Sequence, residues 1–573
     1  MCGIVGYVGA QQAAPILLEG LQKLEYRGYD SAGIAVLDGS TIELAKACGE
    51  IKNLLAKTHD GSDLHGYIGL GHTRWATHGA PTEANAHPHV SNDGKFAIVQ
   101  NGIIENFMEL REMLQAKGFR FHSETDTEVI VHLLDMYYTG DGNLKDTVMK
   151  TLGRLEGSYA IGILCADCPE QMFLARNGCP LIIGVGAGEN FFASDVTALV
   201  SHTKNVVYLD DGELAEVRAD SYTVFDCTGK PIEKPVSRVA WDIEAAEKGG
   251  YEHFMLKEIM EQPRAIKSTL DPRVKDHRVV FDELKMTDAQ LMGFNKIMIT
   301  ACGSAFYAGQ AGKYALEKLT HIPVDADLAS EFRYRDPIVD EHTLMIIISQ
   351  SGETADTIAA IREAQSKGAY VLSIVNVVGS TIARISDDVI YTWAGPEIAV
   401  ATTKGYTTQV SVLYLLALYL GEKRGCLSRE EAAKLTDDLM ILPQMVQRAI
   451  DLNPQIAQLA ERYKNNPSLF FIGRNVDYAV CMEGSLKLKE ISYLHSEAYA
   501  AGELKHGTIA LIEENRLVIA VACYEPLFDK TMSNVKEVKA RGARVLGVAL
   551  EGNRAIYSEA DDVILVPRMD DLF

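Results

Sequence analysis

Over residues 2–240, short apolar runs alternate with stretches in which apolar residues recur at helical spacing. Five runs have the length and content typical of buried strands, namely 3–9, 32–37, 96–104, 159–164 and 180–186. Residues 14–26 and 105–119 have the spacing of amphipathic helices instead. Because the two kinds of segment alternate, we predict a layered α+β domain over residues 2–220.

The second half of the chain contains two copies of one strand–helix pattern. Residues 342–375 resemble 515–549, and the matched positions lie 174 residues apart (541 − 367 = 174). The matches at this offset are Lys367–Ala369 with Arg541–Ala543 and Asp387–Ile390 with Asp561–Ile564. Upstream, Gly303 aligns with Gly473. Alternating apolar strands and helices predict two doubly wound parallel sheets, at 286–425 and 457–573, and an α/β chain overall.

Residues 238–265 break both patterns and join the two halves. They carry charged residues and Gly249–Gly250, followed by a short helical stretch that we expect to end before Pro263. We interpret this segment as a linker with a docking helix.

Composition restricts the class of protein. The net charge of −23 repels nucleic acid and anionic membranes, so we expect neither as a partner. The longest apolar run, 410–420, is too short to span a bilayer. Ten scattered cysteines favour a reducing cytoplasm, and Cys165 and Cys168 fit a turn at a strand end better than a zinc or redox motif. The chain is therefore predicted to be soluble and cytoplasmic.

Cys2 is the first candidate catalytic residue. Removal of the initiator Met would leave a free α-amine beside its thiol, and that amine can act as the general base for the nucleophile. The alternative is that Cys2 is a small buried apolar residue, as free cysteines usually are.

An amide hydrolase that uses Cys2 also needs groups to bind its substrate. Arg74 can hold a carboxylate, Asp126 can hold an ammonium, and Asn101 with Gly102 can form an oxyanion hole. Each has a structural alternative: Arg74 as a surface ion pair, Asp126 near a helix N-cap, and Asn101–Gly102 as a tight turn. Four nearby histidines have no carboxylate or Cys spaced with them as ligands, so we expect no metal site. These histidines are His72, His78, His87 and His89.

Five motifs in order resemble the glutaminase domain of the N-terminal-nucleophile (class II) glutamine amidotransferases. They are MCGIVG, EYRGYDSAG, HTRWATHG, NGIIEN and SETDTE. The resemblance implies that Cys2 forms a glutamyl thioester and that Asn101 and Gly102 make the oxyanion hole. It also implies that Arg74 and Asp126 hold the α-carboxylate and α-ammonium of glutamine. The other implied pocket residues are Trp75, which is the family's gate to the ammonia path, Thr77, His78 and Gly102.

In the second half, polar residues follow two predicted strands of the first copy. Ser349–Thr354 and Cys302–Ser304 offer hydroxyls and backbone N–H groups at helix starts, which suits a phosphate. The alternative is a capping box that closes the next helix. In the second copy the matching residues, 523–525, lack the hydroxyls, so we expect the first copy to bind the phosphate.

The second copy carries different candidate chemistry. Lys487 and Glu490 are three residues apart, so a helix places them on one face, with Lys489 on another. A Lys and a Glu together can move protons next to a carbonyl, and His506 titrates near neutral pH. The alternative is a solvated helix face.

The motifs SQSGET, VATTKGYTTQ, EGSLKLKEIS and YAAGELKHG resemble the paired sugar isomerase (SIS) domains of the glutamine–fructose-6-phosphate aminotransferase family. The resemblance implies a homodimer without metal or cofactor that converts L-glutamine and D-fructose 6-phosphate to L-glutamate and D-glucosamine 6-phosphate, the first step of hexosamine synthesis. Ammonia would pass internally. Glu490 would move the proton between C1 and C2, His506 would help open the ring, and Lys487 would assist. The implied sugar-phosphate contacts are Cys302, Gly303, Ser304, Ser349, Gln350, Ser351, Thr354, Val400 and Ala401.

Three features depart from the family pattern. Ala305 stands where a second hydroxyl is common, and Thr508 replaces a usual Pro. After 562–566 the second copy has no counterpart of the helical stretch that follows WAGPE, where family members continue with a tail that closes on the sugar. We therefore keep two alternatives: a chain that hydrolyses glutamine but makes little amino sugar, and a non-catalytic sugar-phosphate sensor.

Overall fold

The computed structural model describes residues 2–25, 28–76, 79–140, 143–239 and 248–573. The chain folds as two compact units, Met1–Glu247 and Lys248–Phe573. Within the described ranges, no helix has both the length and the apolar content needed to cross a membrane.

The first unit is built on two antiparallel sheets with helices on their outer faces. Its helices are α1 (Ala13–Leu24), α2 (Ile51–Lys57), α3 (Phe107–Ala116), α4 (Glu128–Tyr137) and α5 (Leu144–Leu152). Its strands are β1 (Gly3–Val8), β2 (Ser31–Asp38), β3 (Thr41–Cys48), β4 (Ile68–Arg74), β5 (His89–Val90), β6 (Phe96–Ile104), β7 (Gly157–Cys165), β8 (Gln171–Asn177), β9 (Ile182–Val185), β10 (Asn190–Ala193), β11 (Asn205–Tyr208), β12 (Leu214–Arg218), β13 (Tyr222–Phe225), β14 (Pro231–Ile232) and β15 (Ser237–Arg238). The strand orders are β15-β11-β9-β10-β1-β4-β2-β3 and β14-β13-β12-β8-β7-β6-β5.

Side-chain alternation along β1 shows how these layers stack. Ile4 and Val8 face the core between the two sheets, whereas Val5 and Tyr7 face the core under α1 and α2. A third core lies between the second sheet and helices α3, α4 and α5. The predicted layered α+β fold and its five strands are confirmed. The turn predicted at Cys165–Cys168 is also present, since the N–H of Cys168 donates to the carbonyl of Cys165 at 3.1 Å.

The second unit contains two five-stranded parallel sheets, as predicted. Its helices are α6 (Phe254–Leu270), α7 (Asp288–Gly293), α8 (Ser304–Thr320), α9 (Ala329–Phe332), α10 (Ala355–Ser366), α11 (Thr381–Ile385), α12 (Lys404–Lys423), α13 (Arg429–Met440), α14 (Leu442–Ile450), α15 (Asn453–Tyr463), α16 (Val476–Ser492) and α17 (Phe528–Lys539). Its strands are a small pair, β16 (Val274–Lys275) and β17 (Arg278–Val279), then β18 (Lys296–Ala301), β19 (Val324–Leu328), β20 (Thr343–Ser349), β21 (Tyr370–Val375), β22 (Asp388–Tyr391), β23 (Ser468–Gly473), β24 (His495–Ala500), β25 (Leu517–Val521), β26 (Arg544–Leu550) and β27 (Asp562–Val566). The orders β19-β18-β20-β21-β22 and β24-β23-β25-β26-β27 are the same arrangement twice.

The elements correct one register of the predicted repeat. Strands β20 and β25 begin at Thr343 and Leu517, which confirms the offset of 174 (517 − 343 = 174). Upstream, however, Gly303 is equivalent to Asn475, not to Gly473. Both residues are the N-caps of 17-residue helices, with nearly equal backbone angles of 58° and −135° against 56° and −130°. The sequence alignment matched two glycines that stand at different places in the strand–helix turn.

The helix predicted to end before Pro263 continues to Leu270, so that prediction was wrong. Proline cannot donate to the carbonyl four residues earlier, which is that of Ile259. The side-chain amide of Gln262 donates to this carbonyl instead, at 3.1 Å. Beyond the proline, Ile266 and Leu270 are buried in the core of the second unit, and this packing holds the helix together.

Candidate active sites

Cys2 lies at the start of β1, next to the end of β4. The backbone N–H of Trp75 donates to its Sγ at 3.3 Å, and the thiol lies 3.6 Å from the carbonyl of the same residue. Burial raises the pKa of the Cys2 thiol, and the Trp75 N–H and the charge of Arg74 only partly oppose this effect. The thiol is therefore protonated when the site is empty and needs a base to become a nucleophile.

Arg74 and Asp126 flank the thiol with opposite charges. Both side chains are buried, and both influence the pKa of Cys2, Arg74 lowering it and Asp126 raising it. Arg74 donates to the carbonyls of Gly79 at 3.1 Å and Ala80 at 3.3 Å. Its burial rules out the surface ion pair, and a guanidinium close to the thiol is suited to a carboxylate.

Asp126 does not cap α4. The N-cap of that helix is Thr127, without a side-chain bond, and the Asp126 carboxylate instead accepts the N–H of Ile104 at 2.8 Å. Asp126 thus lies in the N-cap region of α4, directly before Thr127, but its carboxylate bonds a strand and not the helix start. The position of Asp126 depends on the loop before it, which the buried Glu128 stabilises by accepting the N–H groups of His122 and Ser123, each at 2.7 Å.

Asn101 and Gly102 lie inside β6, so the tight-turn alternative is wrong. The amide nitrogen of Asn101 donates to the carbonyl of Cys2 at 3.0 Å. Gly102 has φ +111°, and a Cβ there would lie 2.1 Å from the carbonyl of Ser158. Only glycine fits at this position, which follows the Asn101 amide donor close to Cys2.

His72 fixes the orientation of Asn101, a role that the sequence did not reveal. Its Nε2 lies 3.0 Å from Oδ1 of Asn101 and 3.1 Å from the carbonyl of Gln100. Both partners are acceptors, so Nε2 must carry the proton, and burial lowers the pKa of His72 to about 3. The neutral imidazole therefore holds the Asn101 amide with its nitrogen toward Cys2.

His72 belongs to a group of three buried histidines whose rings contact one another. The ring centroids of His72 and His87 are 4.2 Å apart, and those of His87 and His89 are 4.8 Å apart. Burial lowers the pKa of all three. Among the described residues, no group of His, Cys, Asp or Glu has an arrangement that could hold a metal ion.

Trp75 is the partly exposed edge of this site. Its ring contacts Tyr29 edge-on at 5.3 Å and is 40% exposed. The two other predicted pocket residues, Thr77 and His78, lie outside the described residues.

In the second unit, the candidate phosphate site lies where adjacent strands β18 and β20 end. This is the point at which the strand order reverses, and ligands bind there in such sheets. Gly303, with φ +58°, leads into α8 at Ser304. The N-cap of α10, Thr354, makes no side-chain capping bond, so the capping alternative is wrong at this helix.

The loop between β20 and α10 is folded by its own hydroxyls. Ser349 accepts the N–H of Gly352 at 3.0 Å, and Ser351 accepts the N–H of Glu353 at 3.2 Å. The carboxylate of Glu353 is held by Thr381, whose N–H donates at 2.7 Å and whose hydroxyl donates at 2.8 Å. The acidic residue of SQSGET is thus anchored to a neighbouring helix, which favours an anion at the helix start.

The remaining predicted contacts lie on either side of this loop. Gln350 follows Ser349, and its carbonyl accepts the N–H of Asn376 at 3.2 Å. Cys302 contacts Thr357 through its thiol, whose pKa burial raises. Val400 and Ala401 lie in the segment between β22 and α12, where Val400 is half exposed and Ala401 is buried.

Helix α16 brings Lys487 and Glu490 into contact, as the predicted spacing required. Lys489 points to a different, exposed face. Lys487 also lies 3.5 Å from Glu483, one turn earlier, which the sequence analysis missed although its spacing from Lys487 was visible. Burial raises the pKa of Glu483 to about 7, while Lys487 and the hydroxyl of Ser304 oppose that rise. Glu483 therefore interacts both with Lys487 on α16 and with Ser304 at the start of α8.

The structure does not bring His506 to this group. It ends a short 3₁₀ turn after β24 and is exposed. Its imidazole has no hydrogen bond or ion pair with any part of the chain that the structure describes.

The comparisons with known proteins divide the chain in the same way. Residues 43–237 match the family described as a glutamine amidotransferase domain, and residues 290–419 and 463–571 match the SIS domain family. The fold and these family matches thus define a glutamine amidotransferase domain joined to paired SIS domains.

Relatives similar over their full length identify the family. The chain is 51% identical over 576 residues to the glutamine–fructose-6-phosphate aminotransferase (isomerizing) of Clostridium tetani, covering all of this chain and 94% of that protein. It is 54% identical over 568 residues to the protein of the same name from Caldanaerobacter subterraneus, covering 99% and 93%. This chain belongs to the glutamine–fructose-6-phosphate aminotransferase family.

A solved structure supports the fold of the second unit. The C-terminal domain of the glucosamine-fructose-6-phosphate aminotransferase from Francisella tularensis is 37% identical and matches with a TM-score of 0.55. The match covers 57% of this chain and 92% of that domain.

Proposed function

We propose that this chain converts D-fructose 6-phosphate and L-glutamine to D-glucosamine 6-phosphate and L-glutamate. The observation that carries the proposal is the arrangement around Cys2, where a half-buried thiol lies between a guanidinium, a carboxylate and an amide donor. Such an arrangement matches the three polar ends of glutamine, namely its α-carboxylate, its α-ammonium and the amide that is cleaved.

In the first step, Arg74 binds the α-carboxylate of glutamine and Asp126 binds its α-ammonium. With Met1 removed, the α-amine of Cys2 takes the thiol proton, and the sulfur attacks the side-chain amide carbon. The amide of Asn101 and the N–H of Gly102 stabilise the oxyanion. The C–N bond breaks, the α-ammonium returns its proton to the leaving nitrogen, and ammonia departs. Water then hydrolyses the thioester to glutamate.

In the second step, the loop 349–354 and the start of α8 bind the phosphate. Ammonia, passed internally, adds to the C2 carbonyl of the open-chain sugar, and loss of water gives an imine. Glu490 removes a proton from C1 and returns it at C2, while the proton of the C1 hydroxyl passes to the imine nitrogen, which leaves an amine at C2 and an aldehyde at C1. Lys487, in contact with Glu490, stabilises the negative charge that develops during this transfer.

His506 would open the sugar ring in this scheme. Because its imidazole is exposed, a second copy of the chain could present it to a site, and we include a homodimer in the proposal. All ten cysteines are free, which supports a reducing cytoplasm as its location.

Measuring both products in one assay tests the proposal. With glutamine and fructose 6-phosphate present, we expect glutamate and glucosamine 6-phosphate in equal amounts. Glutamate alone would indicate a glutaminase without synthase activity, and neither product would indicate a sugar-phosphate sensor. Cys2→Ala should abolish both products while fructose 6-phosphate still binds, and full synthesis by this variant would refute the nucleophile assignment.

A further inference from the structure

The segment between β22 and α12 has no regular structure, although it carries Val400 and Ala401. Backbone N–H groups in such a segment need partners elsewhere. Glu397 supplies some of them, because its buried carboxylate accepts the N–H groups of Thr403 and Gly405, each at 2.9 Å. The end of the segment is therefore folded back onto its beginning.

Two carboxylates from α6 hold the same segment from outside. Glu258 accepts the N–H of Ile398 at 2.6 Å and that of Ala399 at 3.1 Å. Glu261 accepts from the ammonium of Lys404 at 2.7 Å. Since Glu258 and Glu261 are three residues apart, one turn of α6 reaches both ends of the segment.

The two attachment points lie on either side of Val400 and Ala401. Val400 is 50% exposed and is presented at the surface, while Ala401 beside it is 2% exposed and the flanks of the segment are fixed. Glu258 and Lys404 are each only 2% exposed, so water does not replace these bonds when they break.

We propose that Glu258 and Glu261 are positioning residues for the sugar substrate, which set the 397–404 segment so that Val400 and Ala401 meet fructose 6-phosphate. This inference rests on the proposed function. Holding the Glu258 carboxylate in this place lowers the stability of the fold, because its ionised form is disfavoured there. Burial and the neighbouring Glu397 raise the pKa of Glu258 to about 7. A carboxylate that only filled space would be replaced at no loss by an apolar residue.

The inference also explains why α6 continues through Pro263. Glu258 and Glu261 lie just before the proline, and Ile266 and Leu270 lie after it in the core. A helix that ended before Pro263 would leave the two carboxylates on a segment without an anchor.

The test compares Glu258→Gln and Glu261→Gln with the unmodified chain. A glutamine at 258 would direct its NH₂ toward one of the two backbone donors. We expect calorimetry to show about tenfold weaker fructose 6-phosphate binding for Glu258→Gln and a few-fold weaker binding for Glu261→Gln. Glu430→Gln, a change of the same charge on the exposed first turn of α13, is the matched control and should bind as the unmodified chain does.

Kinetics separate positioning from general damage. The KM for fructose 6-phosphate should rise in both variants, whereas kcat at saturating sugar and glutamine hydrolysis at Cys2 should stay within about twofold, because binding and not chemistry is affected. Equal losses of kcat and glutaminase activity, or sugar affinity within twofold of the unmodified chain, would overturn the inference. If Glu258→Gln fails to fold, the sugar affinity and KM of Glu261→Gln test the inference instead. If the unmodified chain binds no fructose 6-phosphate, the proposed function fails together with the inference.

Discussion

The two parallel sheets of the second unit share a backbone plan but differ where ligands bind. Helices α8 and α16 each have 17 residues, and each ends in a left-handed residue, His321 in one and Tyr493 in the other. At their starts, Ser304 in the first copy corresponds to Val476 in the second (476 − 304 = 172). The backbones of the two copies are therefore more alike than the side chains at the starts of these helices.

Asp477 explains much of this difference. It corresponds to Ala305, and its carboxylate accepts the N–H of Tyr524 at 3.0 Å. Tyr524 is the counterpart of Gln350, which follows the strand end where we place the phosphate (524 − 350 = 174). The second sheet thus satisfies a donor at its strand end with a carboxylate of its own, and above pH 7, where this group is ionised, an external anion there would meet a negative charge. Ala305, at the equivalent position of the first copy, has no carboxylate that would compete with an anion.

The largest effect that separates the two copies should come from Glu490→Gln in the second. Loss of the carboxylate that we propose as the proton-transferring group should lower kcat for glucosamine 6-phosphate by about 100-fold or more. The dissociation constant of fructose 6-phosphate, measured by calorimetry, should change little because we propose that the phosphate binds in the first copy. Lys489→Gln on the exposed face of the same helix is the control. Unchanged kcat would contradict the assignment of Glu490.

A smaller effect should come from Ser349→Ala in the first copy. Removing one hydroxyl from the phosphate loop should weaken fructose 6-phosphate binding by about tenfold, since a hydrogen bond to a charged group is lost. The matched change in the second copy is Cys523→Ala, which should leave binding within about twofold. Equal effects of the two substitutions would mean that the copies share the phosphate.

Asp477→Asn should change how stability depends on pH. Burial raises the pKa of Asp477 to about 7, so the folded state binds the proton more tightly than the unfolded chain. The stability from this proton is present at low pH and is lost as pH rises toward 7. The amide that replaces the carboxyl is neutral at every pH, so the fall in unfolding free energy between pH 5 and 8 should be smaller in the variant, by on the order of 2 kcal/mol. Urea unfolding at both pH values measures it.

The control for this measurement is Asp529→Asn, which removes an exposed carboxylate from the same copy. Its pH dependence should equal that of the unmodified chain. If Asp477→Asn also left the pH dependence unaltered, the carboxylate at the second strand end would not be the buried, proton-binding group described here.

The smallest effect concerns the two helix starts. Asn475 adopts φ +56°, which glycine tolerates better, but its side chain accepts the N–H of Val476 at 2.8 Å. Asn475→Gly should therefore alter the free energy of unfolding by less than about 1 kcal/mol, because relief of strain offsets the lost bond. Asn475→Ala loses the bond and keeps the strain, and should be the less stable of the two in thermal unfolding. The reverse order would contradict this account.

Local patterns predicted most of the fold, because alternation and helical spacing depend on neighbouring residues. The five strands and both parallel sheets followed from such patterns. The predicted end of α6 before Pro263 was wrong, because the side chain of Gln262 makes the hydrogen bond that the proline cannot make. The register at Gly303 was also wrong, because φ at Asn475 cannot be read from a residue type that rarely adopts it.

Site residues were predictable from the sequence only where they belong to a local sequence motif. Cys2, Arg74 and Asp126 belong to recognisable motifs, and the structure places their side chains together. Glu258 and its partner Ile398 are 140 residues apart (398 − 258 = 140), so no local pattern links them. His72 was visible as a histidine, but its role depends on the orientation of an amide on a neighbouring sheet.

The raised pKa of Cys2 has a further consequence for the chemical durability of the nucleophile. Peroxide and electrophiles react with the thiolate much faster than with the thiol. A thiol that burial keeps protonated in the empty site is therefore protected from oxidation and alkylation between turnovers. The same desolvation that makes Cys2 depend on a base thus slows the chemical inactivation of its thiol.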